Sequence, residues 1–130
     1  MKLKLCLLVL CGGLLASTPV MAHHSFAAEY DRARVIKVSG TVTKFDLSNP
    51  HSWIYLDVMD ANGVVAHWAF ETGAAGPLYK RGIRKNTLQP GMMITLTGYG
   101  AKDNSNTADA QQLTLPDGTV ITLGTENNPG

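Results

Sequence analysis

The chain has 130 residues, two cysteines and a formal charge of +1. That length encodes one small domain with a single core. The near-neutral balance lacks the positive surplus of a nucleic-acid binder or a polybasic membrane contact.

Residues 1–22 read as a secretory signal peptide. Lys2 and Lys4 form a positive start, Leu5 to Leu15 an apolar stretch, and Val20-Met21-Ala22 a cleavage site. The apolar stretch falls short of the ~20 residues that span a bilayer, which argues against a retained anchor. Cys11 follows Leu10 inside the apolar stretch, which disfavours a lipoprotein. Cleavage after Ala22 would remove both Cys6 and Cys11. The expected location is the periplasm, since an exported domain without thiols rests on its own core. Loss of Lys2 and Lys4 leaves 9 of the 11 basic residues against 10 acidic ones, a formal charge of −1 over the remaining 108 residues.

Residues 23–33 read as a polar N-terminal arm with isolated aromatics, Phe26 and Tyr30, and residues 34–124 as the folded domain. Val35 to Phe45 is rich in β-branched residues and predicts a long strand with a bulge or bend at Gly40. Asn49-Pro50 is turn chemistry. Trp53 to Val58 predicts a second strand and Val64 to Phe70 a third. Between them Asn62-Gly63 supplies the positive φ angles of a tight hairpin. Residues 71–76 read as a small-residue linker, and Pro77 to Lys85 as a short helix burying Leu78, Ile83 and Leu88. Met92 to Tyr99, Ala108 to Leu115 and Thr119 to Leu123 predict three more strands, set apart by Pro90-Gly91 and Pro116-Asp117-Gly118 turns. Residues 125–130 read as a loose tail.

This order predicts an all-β fold. The expectation is a small, OB-like, partly open barrel of five to six strands, with one short helix between strands three and four.

Five segments carry a resemblance. They are His23-His24-Ser25-Phe26-Ala27-Ala28-Glu29-Tyr30-Asp31, Gly40 to Lys44, Asn49-Pro50-His51-Ser52-Trp53-Ile54-Tyr55, Trp68-Ala69-Phe70-Glu71 and Leu113 to Gly118. On these the chain resembles a domain-of-unknown-function family of small exported proteobacterial proteins, marked by an HHSF mature start and an NPHxW segment. The resemblance implies a secreted β-barrel and brings no activity, substrate or cofactor.

Chemistry must therefore be sought among the residues themselves. Outside the leader there is no cysteine, so a transition-metal site would use imidazole, carboxylate and amine groups, which suit Cu(II), Ni(II) and Zn(II). Cleavage after Ala22 would place an α-amine and an imidazole on His23. Cleavage after Met21 would instead make His24 the third residue, and a histidine at position three chelates copper or nickel. The metal candidates are His23, His24 and His51, with copper the first expectation. His51 follows Pro50 at the entrance to the second strand. It could equally be a loop histidine bonded to backbone groups. His67 reads as a sheet-face histidine with a local partner.

An aromatic groove is the rival expectation, with Trp53, His67, Trp68 and Glu71 as ligand-binding residues and the histidines structural. The period-two pairs Trp53/Tyr55 and Trp68/Phe70 also suit core positions. Lys80, Arg81, Arg84 and Lys85 form a basic cluster that reads as a solvated helix face. Glu71 could pair with that cluster or orient a histidine. No nucleophile elbow, zinc-protease or phosphate-loop pattern occurs, so no catalytic residue is assigned. The expected partners exclude nucleic acid and include a periplasmic protein. The sequence leaves the oligomeric state open.

Overall fold

A computed structural model describes residues 25–124. The proposed leader at 1–22, His23, His24 and the tail at 125–130 lie outside the described residues.

The elements run α1 (Phe26–Glu29), β1 (Tyr30–Asp46), β2 (Ser52–Met59), β3 (Val65–Thr72), α2 (Ala75–Lys80), β4 (Met93–Ala101), β5 (Thr107–Thr114) and β6 (Val120–Thr122). The sheet order is β3-β2-β1-β4-β5-β6, and β3 also pairs with β5. That last pairing closes the strands into a ring. It is parallel and joins three residue pairs, Ala69 with Thr107, Phe70 with Ala108 and Glu71 with Asp109. The fold is thus all-β, a small partly open barrel in the OB-like strand order, with α2 between β3 and β4.

β1 is long because it serves two partners. It pairs with β4 from Val35 to Thr41 and with β2 from Thr41 to Asp46. The expected irregularity falls between Val42 and Lys44, not at Gly40. At Gly40 the constraint is close approach: an added Cβ would lie 2.6 Å from the Asp57 carbonyl oxygen and 2.9 Å from Val58 Cγ2. The β2–β3 hairpin forms where the Asn-Gly pair predicts it, but the turn is longer than a two-residue one: it runs from Asp60 to Val64, and only Gly63, at φ +80, takes a positive φ. Asp60 steadies the turn, its Oδ1 accepting from the Asn62 and Val64 amides.

Several boundaries differ from those read in the sequence: β3 runs on to Thr72, into the stretch read as a linker, because Glu71 and Thr72 still pair with β2, and β4 runs on to Ala101. β1 begins at Tyr30, inside the stretch read as an arm, because Tyr30 pairs with Ala101 and its ring is buried. A single helical turn, α1, precedes it. The helix after β3 starts at Ala75 and ends at Lys80. The loop before β2 supplies its start, since the Ala75 amide donates to Ser48 O and Asn49 Oδ1, both at 3.1 Å. The turn at Gly82, with φ +86, follows its end.

The interior is filled by Val42, Ile54, Leu56, Phe70, Ile94, Leu96 and Leu113, to which Leu78, Ile83 and Leu88 add the contribution of α2 and the turns after it. Among the described residues no helix is long and apolar enough to cross a membrane.

Candidate functional site: a polar cluster on the outer wall

Strand alternation sorts the β2–β3 hairpin onto two faces. Ile54 pairs with Phe70 and Leu56 with Trp68, and these point into the core. Trp53 pairs with Glu71, Tyr55 with Ala69 and Asp57 with His67, so these share the opposite, outer wall. Parallel pairing then sets Asp109 beside Glu71, and Tyr99 beside Asp109. Tyr30 reaches the same wall from the start of β1.

On this wall Glu71 is only 7% exposed although its strand face points away from the core. A buried carboxylate needs partners. Glu71 has two: the Tyr30 hydroxyl donates to Oε2, and His51 Nδ1 contacts Oε1. A carboxylate only accepts, so Nδ1 carries a proton, and in the neutral imidazole Nε2 is then the nitrogen with the lone pair. The His51 side chain is 35% exposed, which leaves part of the ring accessible. Its backbone is fixed by Ser48, whose Oγ donates to His51 O at 2.9 Å. Ser52, fully buried next to it, bonds Ser48 in turn. The Asn49–Pro50 peptide in this loop is cis.

Asp109 completes the cluster. Burial, reinforced by the nearby Glu71 carboxylate, pushes its carboxyl up to about 6. The Gln111 amide bond, His51 and Arg32 act in the opposite direction. Burial and then Glu71 hold the Tyr30 phenol far above its ordinary range, so it stays a donor. The chain before Tyr30 packs on the same wall. Phe26 lies 5.7 Å from the Tyr30 ring and 5.8 Å, edge-on, from Tyr99. Lys102 ties this turn down, its amide donating to Glu29 O at 2.8 Å and its Nζ to Ala27 O. A side chain on β4 would obstruct the approach of β5 here, since a Cβ at Gly98 would lie 2.1 Å from the Asp109 carbonyl oxygen.

Residues 12–110 match the model of a family of unknown function, DUF6152. The chain belongs to this family. No curated protein and no solved structure matches it. DUF6152 membership therefore brings no activity with it, and the geometry has to be read for itself.

Of the residues singled out in the DUF6152 chain's sequence, the structure brings His51 and Glu71 together and sets Trp53 beside them. His67 stands apart. It lies four residues along β3 from Glu71, about 13 Å at the usual rise per strand residue. Its Nδ1 is 2.6 Å from Asp57 Oδ1, and its side chain is 83% exposed. The two tryptophans do not share a groove. Trp68 stacks on Phe70 at 5.8 Å against the core, whereas Trp53 stacks on Tyr55 at 6.4 Å on the outer wall. The hairpin register separates them, because partners summing to one turn centre put odd and even positions on opposite faces. His23 and His24 lie outside the described residues.

The basic cluster has local tasks. Arg81 donates to the Thr122 and Leu123 carbonyls. Arg84 donates to the Tyr79 and Ile83 carbonyls and sits over the Tyr79 ring. Glu71 therefore faces a histidine rather than this cluster. Sequence reading missed Tyr30 and Asp109. Tyr30 stood in an apparent arm, and Asp109 is a lone acid in a strand; neither carries a local signal. Among the described residues no three His, Asp or Glu side chains form a group that could hold a metal ion.

Proposed function

We propose that this protein is an exported, periplasmic, non-enzymatic binding protein for a divalent transition metal, copper first, with His51 Nε2 as the ligand atom from the barrel. The observation that carries this reading is the contact between His51 Nδ1 and buried Glu71. Metal-bound histidines characteristically pass their other ring nitrogen to a carboxylate, which fixes the tautomer and raises the basicity of the ligating atom. One imidazole does not make a site, so further donors must come from His23 and His24. Ser25, the first described residue, directly follows His24, and Phe26 packs on the tyrosine that bonds Glu71. With cleavage after Ala22, His23 would add an amine and an imidazole, a donor set suited to Cu(II).

The test is Cu(II) titration of correctly processed protein. The same measurement is made with one alanine inserted before His23 and with His51→Ala. Each change should weaken binding at least tenfold. Unchanged affinity in both would overturn the composite site.

A second reading draws on the Trp53–Tyr55 stack, which is half-buried beside Glu71 on the outer wall. It makes the protein a module for a small aromatic or apolar ligand, or for a protein partner, with structural histidines. Quenching of Trp53 fluorescence by such a ligand, with copper affinity unaffected by His51→Ala, would favour it.

A further inference from the structure

Tyr30 satisfies the Glu71 carboxylate from an unusual position. It is the first residue of β1 and is 6% exposed, buried against Glu71 and Phe26 and outside the main hydrophobic cluster. Its hydroxyl holds Glu71 Oε2 while His51 holds Oε1, so the two oxygens of one carboxylate are shared between the start of the chain's fold and the β2 entrance. Those partners are 41 and 20 residues from Glu71 in sequence.

A carboxylate on a flexible stem has two ways to rotate. With only His51 attached, Glu71 could turn either oxygen to it or swing away. With Tyr30 bonded as well, the carboxylate plane is pinned at both ends, and the imidazole meets a fixed acceptor. The competing acid is also held, because the Gln111 amide donates to Asp109 Oδ2. Upstream, Phe26 packs on both the Tyr30 and Tyr99 rings. The seating of α1 and the aim of the Tyr30 hydroxyl are thus one packing arrangement.

We propose that Tyr30 is a positioning residue for His51, acting through Glu71: it holds the imidazole in the Nδ1–H tautomer with Nε2 free and ties that geometry to the seated N-terminal turn. The consequence for metal affinity rests on the binding reading above. The tautomer is a property of the metal-free protein and stands apart from it.

The experiment is two-part. Nitrogen NMR on metal-free protein near pH 8 reports which His51 nitrogen carries the proton. The wild type should show Nδ1–H as the dominant form. Tyr30→Phe keeps the ring and removes the hydroxyl, and should move His51 towards the Nε2–H form that free imidazole prefers. Phe26→Ala keeps the hydroxyl but loosens its seat, and should move it the same way by less. His67, on the same spectra, should not change. Cu(II) affinity should fall about tenfold in Tyr30→Phe, the scale seen when the partner of a ligating histidine is disturbed. A wild-type His51 protonated on Nε2 would overturn the proposal even if Tyr30→Phe failed to fold. So would an unchanged tautomer in a folded Tyr30→Phe. If the tautomer shifts while neither wild type nor variant binds copper through His51, the positioning role holds and the metal reading fails.

Discussion

The molecule contains the same pair twice. His51 meets Glu71 through Nδ1, and His67 meets Asp57 through Nδ1, on the same outer wall of the same hairpin. In the first pair the side chains are 35% and 9% exposed; in the second they are 83% and 38% exposed. Contact geometry therefore does not distinguish them, and surroundings do. Glu71 has a tyrosine on its second oxygen, a serine-pinned loop holding its histidine and another acid alongside. Asp57 and His67 face solvent, where a paired charge is worth little. A histidine–carboxylate pair becomes a candidate site only when the fold removes its alternatives.

Breaking the acids should show the largest contrast. Glu71→Ala strips the acceptor from a buried hydroxyl and a half-buried imidazole, and should destabilise the fold by about 2–4 kcal/mol in denaturant titration. Asp57→Ala should stay within about 0.5 kcal/mol. A similar loss in both would erase the distinction. Next, Tyr30→Phe leaves Glu71 Oε2 without its donor and should cost about 1–2 kcal/mol.

The pH dependence of Asp109 gives a smaller effect with a definite sign. Its carboxyl is raised in the fold to about 6, chiefly by burial. Between about pH 4 and 6 the folded chain holds a proton there that the unfolded chain has released, so this group's contribution to stability declines as pH rises through that window. Asp109→Asn should then stabilise the protein by about 1 kcal/mol at pH 7.5, with the gain vanishing near pH 4. Thermal melts across that range check it, and a gain that grows towards acid would contradict the assignment. The smallest effect belongs to His67→Ala, expected to alter stability by less than about 0.5 kcal/mol and to leave copper affinity unchanged.

Much of the fold was legible because its signals are local. Asn62-Gly63 announced the hairpin, β-branched runs announced the strands, and Leu78, Ile83 and Leu88 are buried as their spacing implied. At the site, His51 stood out by its place after Pro50, and Glu71 as a residue able to orient a histidine. The hairpin also contained, unread, the separation of Trp53 from Trp68, since its register alone sets them on opposite faces. Tyr30 and Asp109 were beyond reach. Their meeting with Glu71 depends on the parallel β3–β5 pairing and on β1 starting early, and both are made by distant parts of the chain.

That parallel pairing has a further consequence. One edge of β5 is divided, with Thr107–Asp109 against β3 and Gln112–Thr114 against β6. The ring is closed by the three-pair join of parallel strands, continued by the Ala69 amide donating to Asn106 O at 3.0 Å. A closure this short should open before the long β1–β4 pairing, so the amides of Ala69 and Glu71, which alternation turns towards β5, should exchange with deuterium sooner than those at the centre of β1 and β4. Glu71 sits on that join. A ligand gripped by the cluster would act as a clasp across it, and its occupancy would be readable as slowed exchange along a seam it need not touch.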